Sequence, residues 1–492
     1  MAEKQSGRFS RLTSQLHYLL SLSNNPVSYL GILITTVSAL LILILTALEI
    51  LNYLSNPYVG ILSYLIMPFF FILGLVLIPL GILRTRLVQR RMTAAGKPVA
   101  ETLYPRWDFN DVRVRRTAVF VVMATMVNVV IISIATYKGV TYMETVQFCG
   151  TVCHTVMKPE YTAYLGSPHA RVSCTGCHIG PGASWFVKSK LSGVRQVFAV
   201  TFKTYDRPIP TPVHDLRPAR GTCEECHWPQ KFQDANFRVI THFKDDEKNT
   251  QLTTVLILKV GGTRGQDGRG TGIHWWHMDP ANRVRYIADE KRQTIYWVEH
   301  TKPDGTQTEY SLADSSQPLP DLNKSQKRLM DCIDCHNRPT HIYQLPEKAV
   351  DLAILNGAID PSLPFVKKTG VELLRVLYAS ESEAQTRILN GMREYYQKNY
   401  PALYREKSAA VDAAGQALQS AYSANVFPAM NVTWGTYPNN LGHQDFPGCW
   451  RCHDENHKSK DGKAITQDCG ACHDLMAQDE ENPKLPSDLL KR

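Results

Sequence analysis

None of the twelve cysteines in this 492-residue chain stands apart from a partner a few residues away. Nothing is left over for a long-range disulfide framework, and a bridge across two intervening residues would be strained. Charge is absent from Tyr58 to Leu83 and from Thr117 to Tyr137, and Pro26 to Leu51 carries only Glu49. Stretches of this length and composition do not suit a soluble surface. They are long enough to cross a hydrocarbon core, which takes roughly 20 residues. None of the three contains histidine. No long low-complexity linker follows them, so one continuous body is expected after residue 138.

A basic surplus is also missing where nucleic acid would need it. The formal net charge is +9, but the tail to Asn24 and the stretch from Arg84 to Arg116 account for +8 of it. The rest of the chain is close to neutral, which excludes a nucleic-acid-binding surface built on net charge.

What is present is a sixfold repeat. Five cysteine pairs read CxxCH: Cys174-Cys177-His178, Cys223-Cys226-His227, Cys332-Cys335-His336, Cys449-Cys452-His453 and Cys469-Cys472-His473. The sixth, Cys149-Cys153-His154, has one extra residue between its cysteines. A zinc half-site or a thioredoxin-like pair does not need a histidine after the second cysteine, yet one follows every pair. CxxCH is the attachment signature of c-type haem, with two thioethers holding the porphyrin and the histidine binding the iron. Six covalent haems are expected.

The apolar stretches read as transmembrane helices at 26–51, 58–83 and 117–137. Lysine and arginine set their orientation. The tail carries Lys4, Arg8 and Arg11, the turn at 52–57 carries no basic residue, and 84–116 carries nine. A cytoplasmic tail at 1–25 and a cytoplasmic 84–116 loop follow, with everything after about Lys138 on the other side of a bacterial inner membrane. The first apolar stretch is too long for a signal-peptide h-region and is expected to remain as an anchor.

The expected architecture is mixed: a three-helix membrane anchor at 26–137, then a haem-packed multihaem cytochrome c domain. In that domain 138–345 holds four haems and a β insertion, 346–425 is a helical segment, and 426–492 is a C-terminal dihaem segment. Alternating β-branched and aromatic residues at 253–258, 284–287 and 294–298, with a turn at Lys302-Pro303-Asp304-Gly305, predict a small antiparallel sheet. Helical spacing predicts helices from Pro346, broken near Asp360-Pro361, and two long ones between Glu381 and Ala424.

Nine histidines beyond the motifs lie on the haem side: His169, His214, His242, His274, His277, His300, His341, His443 and His457. The strongest candidates for second axial ligands are His341, His443 and His457, together with His274 and His277 in the string Gly272-Ile-His-Trp-Trp-His-Met278. That string also reads as an aromatic strand. Met157, three residues after His154, is a candidate ligand for the first haem, where a thioether raises the potential.

The run from Phe148 through His154 and Met157, then Tyr164-Leu-Gly-Ser-Pro-His169 and Cys174-Thr-Gly-Cys177-His178, resembles the NapC/NrfH/NirT membrane-anchored quinol dehydrogenases. Over its whole length the chain is similar to the longer ImcH-type inner-membrane cytochromes of extracellular electron transfer. The resemblance implies Met157 on the haem next to the membrane and His169 on a haem other than its neighbour. It further implies menaquinol or ubiquinol as reductant and a periplasmic cytochrome c as acceptor. The chain departs from the simple family in its three helices, its CxxxCH motif and its quinol-site residues. Lys188 or Lys190 would supply the family's lysine, and Glu49 is an alternative proton acceptor.

The expected activity is menaquinol oxidation at the membrane quinol pool, with a homo-oligomer or a larger membrane complex left open. Two other readings stand beside it. A relay subunit would be reduced by a separate quinol-oxidising protein. A terminal reductase would need an iron with an open position, and the sequence has no CxxCK motif of the kind that marks one such class.

Overall fold

The computed structural model describes residues 22–50, 62, 66–96, 109–152, 154–179, 183–213, 217–228, 232, 235–262, 270–313, 320–321 and 324–484. The chain divides into two compact units, Met1–Cys149 and Gly150–Arg492.

The first unit holds α1 (Pro26–Ile50), α2 (Met67–Ala94) and α3 (Val112–Met143), all long and apolar enough to cross a membrane. Small residues let α1 and α2 approach closely, as membrane helices do. A Cβ on Gly74 would lie 2.4 Å from Thr35 Oγ1, and Ser28 Oγ donates to the Ile78 carbonyl at 3.0 Å. Ala39, Ile42, Phe71, Ile131 and Ala135 close the bundle core. Leu33, Phe69, Phe120 and Met126 face outward, as the lipid-facing side of a membrane bundle requires.

Two boundaries differ from the expectation. Helix α2 runs past Leu83 to Ala94, because leucine, arginine and glutamine continue a helix readily. It stops where Gly96 takes φ +65°, the left-handed conformation of a helix C-terminus. Helix α3 likewise extends beyond 117–137 at both ends. The start expected for the second span, 58–61 and 63–65, lies outside the described residues.

The second unit opens with α4 (His154–Leu165), α5 (Cys174–His178), α6 (Ala183–Thr201) and α7 (Arg220–Cys223). Between 150 and 235 only Val156, Pro159, Tyr164 and Ala219 are buried apolar side chains among those described. That is too few for an ordinary core.

Strands follow: β1 (Asn236–Phe243), β2 (Gln251–Leu258), β3 (Arg283–Ala288), β4 (Ile295–Thr301), β5 (Gln307–Leu312) and β6 (Arg328–Leu329). The string at 272–278 is a short helix, α8 (Gly272–Met278), rather than a strand. Two antiparallel sheets form where one was expected, ordered β1-β2-β8 and β6-β3-β4-β5-β7. The late strands β7 (His457–Ser459) and β8 (His473–Glu480) pair back through Leu312↔His457 and Leu258↔His473. Residues 295–299 of the central strand β4 are all buried, as expected of a strand covered on both faces. The β4–β5 hairpin turns at Lys302–Gly305, with Gly305 at φ +84°.

After α9 (Cys332–Cys335) comes a helical body: α10 (Pro346–Leu355), α11 (Val366–Arg375), α12 (Glu381–Asn399) and α13 (Pro401–Asn425). Val350, Leu374, Ile388, Met392, Tyr396, Leu418 and Tyr422 form its core. Ser380 caps α12 by accepting from the Glu383 amide at 3.2 Å, and Pro401 starts α13 at a position where no amide is needed. The last helix is α14 (Cys469–Cys472).

Candidate functional site

Most motifs sit on one short helical turn. Ser173, Asp331 and Asp468 cap α5, α9 and α14 with side-chain oxygens, and Asp331 with Asp334 forms a full capping box. On such a turn, cysteines three apart share a face. The first motif is built differently: Phe148–Val152 is a π turn. A π turn holds more residues per turn, so a four-residue step covers about the angle that three residues cover elsewhere. Gly150 is required beside it, since a Cβ there would lie 2.3 Å from the Tyr161 ring. Cys153 and the His154 side chain lie outside the described residues.

Five motif histidines each face one histidine from elsewhere in the chain. The ring centroids are 6.3 Å apart for His178 and His341, and 6.0 Å for His227 and His169. They are 6.3 Å apart for His336 and His274, 6.0 Å for His453 and His277, and 6.3 Å for His473 and His443. Two imidazoles bound trans to one metal, with bonds of about 2 Å and centroids about 1.1 Å inside the rings, stand about 6.3 Å apart. The residues present therefore fit an iron between each couple.

Four of these ten rings are held for it by backbone carbonyls. The Nδ1 atoms of His169, His277, His341 and His453 meet the carbonyls of Pro339, Ile273, Glu160 and Thr466 at 3.2, 2.7, 3.0 and 2.6 Å. A donating Nδ1–H leaves Nε2 as the ligating nitrogen. Burial lowers the pKa of His178, His274, His336 and His341, and pushes His277 down to about 4. The neutral imidazole, the form that binds metal, is favoured in each.

Hydrogen bonds tie the third motif segment to the fourth and the fourth to the fifth, and anchor the third and sixth to neighbouring elements. The Ala219 amide beside the third motif donates to Asp331 at 3.0 Å, and Arg220 donates to the Met278 carbonyl that ends α8. Arg451 of the fifth motif donates through Nη2 to the Asp334 carbonyl of the fourth at 2.6 Å. Lys259 Nζ donates to the Gly470 carbonyl of the sixth at 2.8 Å. The cysteines follow the same order. The Cys223 and Cys332 thiols are neighbours close enough to shift one another's pKa in opposite directions, Cys223 down and Cys332 up. Burial pushes the Cys177, Cys335 and Cys472 thiols up, and the sulfur of Cys223 beside the first and of Cys449 beside the other two pushes them the same way. Five attachment loops thus stand as a row from Cys174 to Cys472. His274 and His277, on the single helix α8, reach two successive members of it.

One expected ligand has a different place. His457 is 1% exposed, with Nδ1 2.8 Å from Asp454 and Nε2 3.0 Å from the Ile295 carbonyl. Both nitrogens face acceptors, Asp454 three residues back and Ile295 on β4, which leaves none for iron and differs from the sequence expectation. His300 packs on Trp276, His242 lies 3.8 Å from Asp479, and His214 is outside the described residues. Met157 is half-buried, one turn into α4.

Lys188 is exposed on α6 with Nζ 4.5 Å over the Trp185 ring, and Lys190 is half-buried on the same helix. Glu49 lies at the end of α1, its side chain outside the described residues. Two supporting residues had no sequence signal. Glu160 lies 3.1 Å from His341 Nδ1 across 181 positions, and Trp450 stacks on His443 at 4.2 Å.

Comparison with known proteins agrees with this chemistry. The N-terminal region of the NapC/NirT cytochrome c family matches residues 112–210. Cytochrome c-type protein ImcH of Geobacter sulfurreducens is 46% identical over 461 residues, covering 93% of this chain and 89% of that protein. No solved structure matches the chain.

Proposed function

The chain belongs to the ImcH-like, NapC/NirT-type cytochromes, membrane electron-transfer proteins with covalently bound haem, and we propose that it is a hexahaem menaquinol dehydrogenase of the bacterial inner membrane. Each cysteine pair, Cys149/Cys153, Cys174/Cys177, Cys223/Cys226, Cys332/Cys335, Cys449/Cys452 and Cys469/Cys472, holds one haem. The motif histidines are the proximal ligands. His341, His169, His274, His277 and His443 are the distal ligands of the second to sixth haems, and Met157 serves the first. The bound haems supply one-electron carriers that take the two electrons of menaquinol, one at a time, to a periplasmic cytochrome.

The observation that carries this reading is the set of five histidine couples at 6.0–6.3 Å. Two histidines offered to each of five haem sites would leave no position for a substrate there, which suits conduction and disfavours a terminal reductase. Backbone carbonyls hold His169, His277, His341 and His453 by Nδ1, and burial favours the neutral form of His178, His274, His277, His336 and His341, so these ligands need little reorganisation when charge arrives. The nine basic residues of 84–116 support a cytoplasmic position for that stretch and the N-terminus, with the second unit in the periplasm. Lys188 and Lys190 are the candidates for contact with the quinol headgroup, and Glu49 is the candidate proton acceptor.

The test is anaerobic. A menaquinol analogue is added to the purified full chain in liposomes while the reduced c-haem band is followed. Rapid reduction that a quinone-site inhibitor blocks supports the proposal. If dithionite reduces all haems but quinol reduces none, the electron entry site belongs to another protein and this chain is a relay.

A further inference from the structure

Helix α6 carries an apolar face that the rest of its own unit leaves uncovered. Leu191, Val194, Val197 and Phe198 on α6, and Phe202 just past its end, are 68%, 57%, 61%, 60% and 67% exposed. At about 100° per residue these five positions fall within an arc of about 140°. Phe198 and Phe202 stack on one another with centroids 6.3 Å apart instead of turning into the protein. The helix touches the neighbouring apolar cluster through Val200, on the other side. A Cβ on Gly193 would meet nothing within 4 Å, so the middle of the helix stands clear of the body.

The charge around this face has one sign. From 183 to 205 the chain carries Lys188, Lys190, Arg195 and Lys203 and no acidic residue. Lys188 and Arg195, seven apart, line one edge of the arc, and Trp185 lies beneath the Lys188 ammonium at 4.5 Å. Lys190 falls inside the arc, where a long stem can lie along apolar surface with its ammonium at the polar boundary. Exposed leucine, valine and phenylalanine on one face, with lysine, arginine and tryptophan at its border, characterise a helix lying in a bilayer interface.

We propose that α6 lies flat in the leaflet on the haem side of the membrane. Its 191–194–197–198–202 face sits among acyl chains, and Lys188 and Arg195 sit at anionic headgroups. The chain has three membrane-crossing helices of its own, the last ending at Met143, 40 positions before α6 begins at Ala183, so a bilayer is always at hand. A second copy of the chain fits less well, since it would set two all-cationic helices face to face. This docking brings the second haem motif, Cys174–His178 on α5, to the lipid surface without requiring that quinol be the reductant.

The test uses the full haem-loaded chain in vesicles of phosphatidylethanolamine and phosphatidylglycerol containing a lipid with a photoactivatable diazirine on its acyl chain. After illumination the protein is digested and label is located by mass spectrometry, with α1 as the membrane reference and α12 and α13 as the aqueous reference. Label on 191–202 about tenfold above that on α12 and α13 is expected. Label no higher than on those two helices, with α1 labelled, overturns the proposal. So does efficient Lys188-to-Lys188 crosslinking between copies with 191–202 unlabelled, which assigns the face to a dimer. Triple replacement Leu191→Ser, Val194→Ser and Phe198→Ser is expected to remove the label while the low-spin haem spectrum stays unchanged. None of these readouts depends on quinol turnover, so the two proposals fail independently.

Discussion

Glu160 meets His341 twice: its carboxylate Oε2 lies 3.1 Å from His341 Nδ1, and its carbonyl oxygen lies 3.0 Å from the same nitrogen. Arg338, 6% exposed and 4.2 Å over the Tyr437 ring, holds the other side of the carboxylate at 3.0 Å. A carboxylate behind a ligating histidine makes the imidazole a stronger donor and fixes its rotation.

Glu160→Gln therefore weakens donation to the oxidised iron more than to the reduced one. One midpoint potential, that of the haem between His178 and His341, is expected to rise by tens of millivolts, about 59 mV for each tenfold loss of preference for the ferric state. Spectroelectrochemical titration of wild type and variant checks this. An unchanged set of potentials would mean that the carboxylate only packs. The carbonyl contact remains in the variant, so the low-spin spectrum is expected to persist.

The sequence offers both His277 and His457 as distal ligands, and the structure gives them different neighbours. Replacing His277 by Ala removes the partner of His453, and one of the low-spin signals is expected to become high-spin in EPR. Replacing His457 by Ala should leave every low-spin signal in place. It instead removes two buried hydrogen bonds between β7 and its surroundings, at a cost of about 1–3 kcal/mol. That loss should appear as faster amide exchange in β5 and β7. A high-spin signal in the His457 variant would reverse the assignment.

The sequence revealed attachment but not pairing, for a physical reason. Two thioethers and a proximal ligand come from one helical turn, so their chemistry is written locally in CxxCH. A distal ligand comes from wherever the fold delivers an imidazole to the opposite face, and His341 reaches His178 across 163 positions. The β2–β8 pairing was hidden likewise, because β8, His473-Asp-Leu-Met-Ala-Gln-Asp-Glu480, has little apolar alternation and is held in place by its partner. The hairpin strands around Gly305 and the helices from Pro346 were legible, since their periodicity and turn residues are local.

Gly150→Ala probes the first motif by sterics alone. The added methyl carbon would sit 2.3 Å from the Tyr161 ring, inside any van der Waals contact, and either the ring or the π turn must move. Distortion of the turn separates Cys149 from the second cysteine of its pair, so haem content is expected to fall from six to five per chain by pyridine haemochrome assay. The double variant Gly150→Ala, Tyr161→Ala, which removes the obstructing ring, is expected to recover the sixth haem. Failure of that rescue would mean that Gly150 is needed for its backbone conformation.

Lys367 of α11 is 3% exposed, and its ammonium meets Asp351 of α10 at 2.5 Å. The same Asp351 oxygen accepts from the Phe243 amide at 3.1 Å, tying the helical body to the end of β1. Asp351→Ala leaves a buried cation without its anion and a buried amide without its acceptor, at a cost of about 3–5 kcal/mol. Amide exchange in α10 and α11 is expected to speed up by about a hundred- to several thousandfold, at about 1.4 kcal/mol per tenfold. Haem spectra should stay unchanged, because the helical body has an apolar core of its own. Adding Lys367→Met is expected to restore most of the protection but not all of it. The unpaired Phe243 amide remains in the double variant, and its local exchange measures what that one hydrogen bond contributes to docking the helices on the sheet.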